Sequence, residues 1–120
     1  MIKVIIAGGR DFDNYQALEA KCDKYLCNVA KTERIQIVCG EANGADKLGK
    51  RYAKNRGYSV KLFPANWDLF GPAAGPLRNG EMADYASVLI AFWDGKSKGT
   101  ADMIRQAKIN KLIVRIVKYR

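Results

Sequence analysis

The chain has no histidine among its 120 residues. That excludes any catalytic triad or general base built on imidazole, and it leaves zinc without its commonest nitrogen ligand. Cysteine is scarce as well. Cys22, Cys27 and Cys39 are an odd number without metal-ligand spacing. Cys22 and Cys27 are five apart on an expected helix, so they point in different directions. They read as reduced structural thiols, which suits a reducing cytoplasm. No apolar run approaches the roughly 18 residues that a membrane span needs. Residues 1–6 are too short and polar-flanked for a signal peptide and read as a first strand, so a cytoplasmic location is expected. Acidic residues are few: 12 against 21 basic ones, for a net charge of +9. Such a field attracts anions without saying which, and it is also what a solvated basic surface with no partner would carry.

What is present is a run of short apolar segments rich in Val and Ile. Strands are expected at residues 3–7, 35–39, 59–63, 88–92 and 112–117. Helices are expected between them, at residues 14–30 with Asp13 as N-cap, 44–55, 77–85 and 100–109. Strand and helix alternate throughout, with no repeat and no linker. This predicts one α/β domain over residues 1–120: a Rossmann-like, doubly wound parallel sheet of about five strands with helices on both faces. Arg115 interrupts the last strand, which places that strand at an edge. The expected order is 3-2-1-4-5, and ligands of such sheets bind beyond the strands' carboxyl ends, where the order reverses.

The glycines are unevenly placed. Loops that follow strands hold Gly8, Gly9, Gly40, Gly44, Gly71, Gly75, Gly95 and Gly99, eight of the chain's eleven, whereas the opposite loops hold only Gly57. Tight turns alone could account for this. Bare backbone amides and helix N-termini converging on one crevice would equally make a phosphate site.

Individual motifs add to this. Gly8-Gly9-Arg10-Asp11 lacks the third glycine of a dinucleotide fingerprint, and Arg10 either grips a phosphate or pairs with Asp11 or Asp13. In residues 40–46, Asn43 or Asp46 either caps the next helix or helps form an anion nest with Gly40 and Gly44. Lys47, Lys50, Arg51 and Lys54 share one face of that helix, as a solvent side or as a track for single-stranded nucleic acid. Residues 64–79 form a long loop opening a helix, read as an ordered lid carrying Trp67 and Phe70, with Arg78 in the helix's first turn beside Asn79. Lys96, Lys98 and Thr100 suit a phosphate. Gly95-Lys96-Ser97 is not a P-loop, because the required glycine five positions earlier is Ile90.

Taken together, Gly40 with Gly44-Ala45-Asp46, Pro64-Ala65-Asn66-Trp67, Ala74-Gly75-Pro76-Leu77-Arg78-Asn79-Gly80-Glu81-Met82 and Gly99-Thr100-Ala101-Asp102-Met103 resemble the YspA-like, YpsA-related branch of the SLOG superfamily. The resemblance runs nearly the whole length. It implies a Rossmann-like domain that binds a nucleotide or nucleotide-derived ligand. Residues 40–46 look like the second-strand loop of the DprA-like members. Arg78 with Met82, and Gly99-Thr100 with Asp102, look like the signatures of the Lonely Guy phosphoribohydrolases. Here Asp102 is one methylene shorter and one position earlier than their glutamate, and Trp93-Asp94-Gly95 replaces their Pro-Gly-Gly run.

Three functions follow. In the first, Gly8, Gly9, Arg10, Gly40, Gly44, Asp46, Trp67, Arg78, Asn79, Lys96, Gly99 and Thr100 bind a nucleotide-like phosphate ligand without turnover, as in a sensor. In the second, Arg78 anchors a nucleoside 5′-monophosphate while Asp102 or Glu81 stabilises an oxocarbenium-like transition state for N-glycosidic cleavage. In the third, the helix-face cations bind single-stranded nucleic acid. No cofactor, metal or membrane is expected, and a homo-oligomer is implied by the resemblance alone.

Overall fold

The computed structural model describes residues 1–40 and 44–119. Asn43, one of the two caps proposed for the second helix, lies outside the described residues.

Five strands form the sheet: β1 (Ile2–Gly8), β2 (Ile35–Cys39), β3 (Ser59–Leu62), β4 (Val88–Trp93) and β5 (Ile113–Lys118). All pair in parallel, in the order β3-β2-β1-β4-β5. The central strand is the most apolar. In β1, Val4 and Ile6 face one layer and Ile5 and Ala7 the other, because successive side chains alternate across the sheet. Both faces are covered, so β1 reads as a continuous apolar run rather than an alternating one.

Helices α1 (Tyr15–Leu26) and α2 (Ala45–Arg56) cover the first face, where Leu18, Cys22, Tyr52 and Ala53 pack on Val4, Ile6 and Ile37. The second face is covered by α4 (Ala74–Tyr85) and α5 (Lys98–Ile109), through Met82, Ala83, Met103, Ile104 and Ala107. A short α3 (Trp67–Phe70) precedes α4. Truncating a fully buried side chain such as Ile5 to alanine would cost about 2–5 kcal/mol. The edge strands β3 and β5 are largely exposed, as the placement of Arg115 requires.

Four local expectations are corrected. Asn14, not Asp13, caps α1, its Oδ1 accepting from the Ala17 amide at 3.0 Å. Helix α1 ends at Leu26 rather than residue 30, and Val29–Lys31 tightens into a separate 3-10 turn. Gly44 occupies the N-cap of α2, with Asp46 inside the first turn, so Asp46 is not the cap. The expected lid loop is largely helical, through α3, a 3-10 turn at Gly71–Ala73 and α4 from Ala74. Arg78 therefore sits one turn into α4 rather than in its first turn. No helix among the described residues is long and apolar enough to cross a membrane.

Candidate functional site

The chain runs from β1 outward through β2 to β3, then returns to the other side of β1 as β4. Strand β1 is paired with β4 up to its last residue, Gly8 opposite Phe92. A cavity of about 570 Å³ opens at that point. This is the reversal point at which open α/β sheets take their ligands.

Loops and helices from several stretches of the chain build its wall. The β1–α1 loop supplies Gly8, Gly9, Arg10 and Asp11, and the first turn of α2 supplies Asp46. Trp67, Pro76, Arg78, Asn79 and Met82 come from α3 and α4. Asp94, Ser97, Lys98, Gly99, Thr100, Asp102 and Met103 come from the β4–α5 loop and α5.

The loops are locked to each other by glycine. Gly44 has φ +76°, a backbone conformation that side-chain-bearing residues avoid, and it rests against the Gly9 carbonyl and the Arg10 backbone. The first amide of α2, at Ala45, donates to that same Gly9 carbonyl at 3.3 Å. Gly40, at the end of β2, leaves room for the Arg78 guanidinium. A Cβ there would lie 2.7 Å from Arg78 Cζ and 2.9 Å from Asp46 Oδ2. Gly40 and Gly44 are thus required by packing behind the cavity rather than by direct exposure to it.

Arg78 is half-buried. Its Nε donates to Asn79 Oδ1 at 3.2 Å and its Nη1 to the Phe63 carbonyl at 3.4 Å. Asn79, only 6% exposed, donates from Nδ2 to Asp102 Oδ2 at 3.0 Å and to the Gly99 carbonyl at 3.3 Å. Asp102 also accepts from Gln106 Nε2 at 2.8 Å and from Arg105 Nη2 at 2.6 Å. Burial alone would raise its pKa, but the hydrogen bonds from Asn79, Arg105 and Gln106 prevail and hold the carboxyl below its ordinary value.

On the other flank, Asp94 Oδ1 accepts from the Lys96 and Ser97 amides, both at 2.8 Å, which turns the chain into α5. Ser97 caps α5 by accepting from the Thr100 amide, and its hydroxyl pairs with that of Thr100 at 3.3 Å. Helical geometry leaves the amides of Lys98 and Gly99 without intrahelical acceptors. A Cβ on Gly99 would meet nothing within 4 Å, so the backbone there is open to approach.

Of the residues singled out from the sequence, Gly8, Gly9, Arg10, Asp46, Trp67, Arg78, Asn79, Gly99, Thr100 and Asp102 line this one cavity. Gly40 and Gly44 stand directly behind it. Two others lie elsewhere. Lys96 and Glu81 are exposed and take no part in the lining, whereas Lys98, two residues on, does. Lys47, Lys50, Arg51 and Lys54 are all exposed on the outer face of α2, away from the cavity, with the Arg51 guanidinium 4.0 Å above the Tyr15 ring. Sequence reasoning did not assign the lining carboxylates Asp11 and Asp94 to the site, and the lining Met82 and Met103 entered it only within the motifs of the family resemblance. The signal for the methionines was their period on α4 and α5, which reads as core. Lining carboxylates (Asp11, Asp46, Asp94, Asp102) therefore stand beside Arg10, Arg78 and Lys98, so the cleft is mixed in charge although the whole chain is basic.

Comparison with known proteins agrees with this architecture. Over 80 residues the chain is 40% identical to the Gene 61 protein of Mycobacterium phage D29, covering 62% of this chain and 64% of that protein. In structure it is similar to DNA processing protein A (DprA) from Streptococcus pneumoniae, with a TM-score of 0.74 over 100% of this chain and 51% of that one. At 18% identity the second likeness is one of fold. The chain spans under two thirds of the length of either relative. Residues 2–70 match the YspA, cpYpsA-related SLOG family, and the chain belongs to that family.

Proposed function

We propose that the cleft binds a nucleotide or nucleotide-derived phosphate and does so without turnover, as a sensing domain would. The observation that carries this is the convergence of Arg10, Arg78, Lys98 and the open first turn of α5 on one cavity at the β1/β4 reversal. Guanidinium groups and free helix amides together form a strong phosphate site. The remaining lining suits the rest of such a molecule. Trp67, Pro76, Met82 and Met103 offer an apolar wall for a base, and the carboxylates Asp11, Asp46 and Asp94 can accept from sugar hydroxyls. A volume of about 570 Å³ is in the usual range for a small-ligand site. SLOG membership supports the same class of ligand.

Turnover by N-glycosidic cleavage has less support. Both Asp102 oxygens already accept hydrogen bonds from protein groups, and Glu81 is exposed outside the cavity. Binding of single-stranded nucleic acid rests on the exposed cations of α2 and on the fold shared with DprA. The same proposal includes self-association, supported by the exposed apolar side chains Trp67, Leu69, Phe70 and Leu77 on α3 and α4. Light scattering checks it. None of the three cysteines is in a disulfide, which fits a cytoplasmic site of action.

The test is calorimetric titration of the whole chain with AMP, ADP, CMP and a dinucleotide. Saturable binding of at least one is expected, weakened on the order of tenfold or more by Arg78→Ala. Absence of binding by every member would overturn the reading. Release of free base would convert it to a hydrolase, and a salt-sensitive oligonucleotide shift with no nucleotide binding would convert it to a nucleic-acid module.

A further inference from the structure

We propose that Asp102 is a positioning residue for Arg78, acting through the Asn79 carboxamide rather than on a bound ligand. The inference rests on the reading of Arg78 as the phosphate-binding cation of the cleft.

A carboxamide has one acceptor end and one donor end, and turning it over exchanges them. Asn79 is placed between groups that tolerate only one orientation. On one side stands a donor, Arg78 Nε, 3.2 Å from Oδ1. On the other stand two acceptors, Asp102 Oδ2 at 3.0 Å and the Gly99 carbonyl at 3.3 Å, both facing Nδ2. Inverted, the amide would set donor against donor at Arg78 and oxygen against two oxygens at α5. The negative charge of Asp102 makes the second clash the more costly. Asp102 thereby keeps an acceptor presented to Arg78.

The carboxylate is itself fixed. Arg105 holds Oδ1 at 2.6 Å and Gln106 holds Oδ2 at 2.8 Å. Gln106 also donates to the Pro76 carbonyl at 3.0 Å, which ties α5 to the first turn of α4. With Nε on Asn79 and Nη1 on the Phe63 carbonyl, the guanidinium plane is held at two points. A guanidinium oriented before the ligand arrives loses less freedom on binding. The relay also joins Arg78 to the Gly99 backbone, so the arginine and the α5 amides are set relative to each other. Together with the lowered pKa of Asp102, this keeps the carboxylate charged throughout the neutral range.

Two measurements on the full-length chain test the relay. The first follows the Arg78 Nε–H signal by NMR, identified by its loss in Arg78→Lys. Hydrogen exchange at this site should be slow in the wild type and on the order of tenfold faster in both Asn79→Ala and Asp102→Ala. Unchanged exchange in Asp102→Ala would overturn the proposal. Should Asp102→Ala fold poorly, the isosteric Asp102→Asn removes the charge and turns one of the two acceptor oxygens into a donor, and should shift exchange in the same direction. The second is a double-mutant cycle with inorganic pyrophosphate as probe. Asp102→Ala should weaken binding when Arg78 is present and have no further effect in Arg78→Ala. Equal weakening in both backgrounds would mean that Asp102 acts on the ligand directly, and would sink the relay. If the wild type does not bind any phosphate compound, the proposed function fails while the exchange measurement still judges the relay.

Discussion

The Tyr119 hydroxyl donates to Asp11 Oδ1 at 2.7 Å, joining positions 108 residues apart in the chain. Tyr119 follows β5, at the edge of the sheet, and Asp11 follows β1, at its centre. The bond reaches across the end of β4, where Phe12 stacks on Phe92 and its ring lies 4.8 Å from that of Tyr119. The segment that carries Gly8, Gly9 and Arg10 is thus anchored from outside the cavity.

Removing that hydroxyl in Tyr119→Phe keeps the ring packing and deletes one hydrogen bond, worth ~1 kcal/mol. Nucleotide affinity should fall several-fold, with only a small decrease in thermal midpoint. Calorimetry and thermal denaturation on the same sample check both. An unaltered affinity would show that the β1–α1 loop needs no such anchor.

Gly40→Ala should disrupt the site more than the fold. Its Cβ would collide with the Arg78 guanidinium and the Asp46 carboxylate, two groups that face the cleft. Overpacking of this kind costs about 1–3 kcal/mol. Loss of nucleotide binding with a retained circular dichroism spectrum is expected. Wild-type affinity in this variant would mean that Arg78 is free to move aside.

Acid should destabilise the protein through two identifiable carboxyls. Arg56 bonds to Asp23 and, against an opposing burial effect, lowers its pKa with help from Tyr52. The Asp102 pKa is lowered as well, by hydrogen bonds that outweigh burial. Each group binds its proton less readily when folded than when unfolded, so the unfolded chain gains protons first as pH drops. Their contribution is fully present above the unfolded carboxyl range, about pH 4–5, and is lost as pH falls through the lower folded values. Urea midpoints from pH 3 to 7 should show that decline, and Asp23→Asn or Asp102→Asn should flatten it. An equally steep decline in both variants would assign acid sensitivity to other groups.

Thiol labelling should separate the cysteines. Cys27 is exposed, whereas Cys22 and Cys39 are buried. Burial, with a smaller effect from Asp23, pushes the Cys22 thiol up to about 12, so almost none is thiolate at neutral pH. A disulfide reagent should modify Cys27 rapidly and reach the other two only on unfolding. Mass spectrometry of peptides reads this out, and rapid native labelling of Cys22 would contradict the packing of α1.

Much of the architecture was legible because its signals are local. The Val- and Ile-rich runs of a sheet covered on both faces leave uninterrupted apolar strands, and Arg115 marked the exposed edge. Residues 64–79 were misread for an equally local reason. The Gly71-Pro72 and Gly75-Pro76 pairs look like loop punctuation. Yet proline is tolerated in a first helical turn, and Gly75 is where the Trp67 ring lies 3.3 Å from a would-be Cβ. Lys96 and Lys98 were read alike as suiting a phosphate; past the turn that Asp94 makes with the Lys96 and Ser97 amides, Lys98 lines the cavity and Lys96 does not.

By itself the sequence determined the alternation of strand and helix, the edge position of β5 and the clustering of glycine at one end of the sheet. Each depends on side-chain period, charge or backbone freedom within a few residues. Only the tertiary structure decided that Asp102 faces Asn79 and that Gly40 makes room for Arg78. Those contacts join residues 23 to 38 positions apart, brought together by the packing of α4 against α5 and the return of the chain to β1. No local pattern encodes a distance of that kind, because it is set by how whole layers meet.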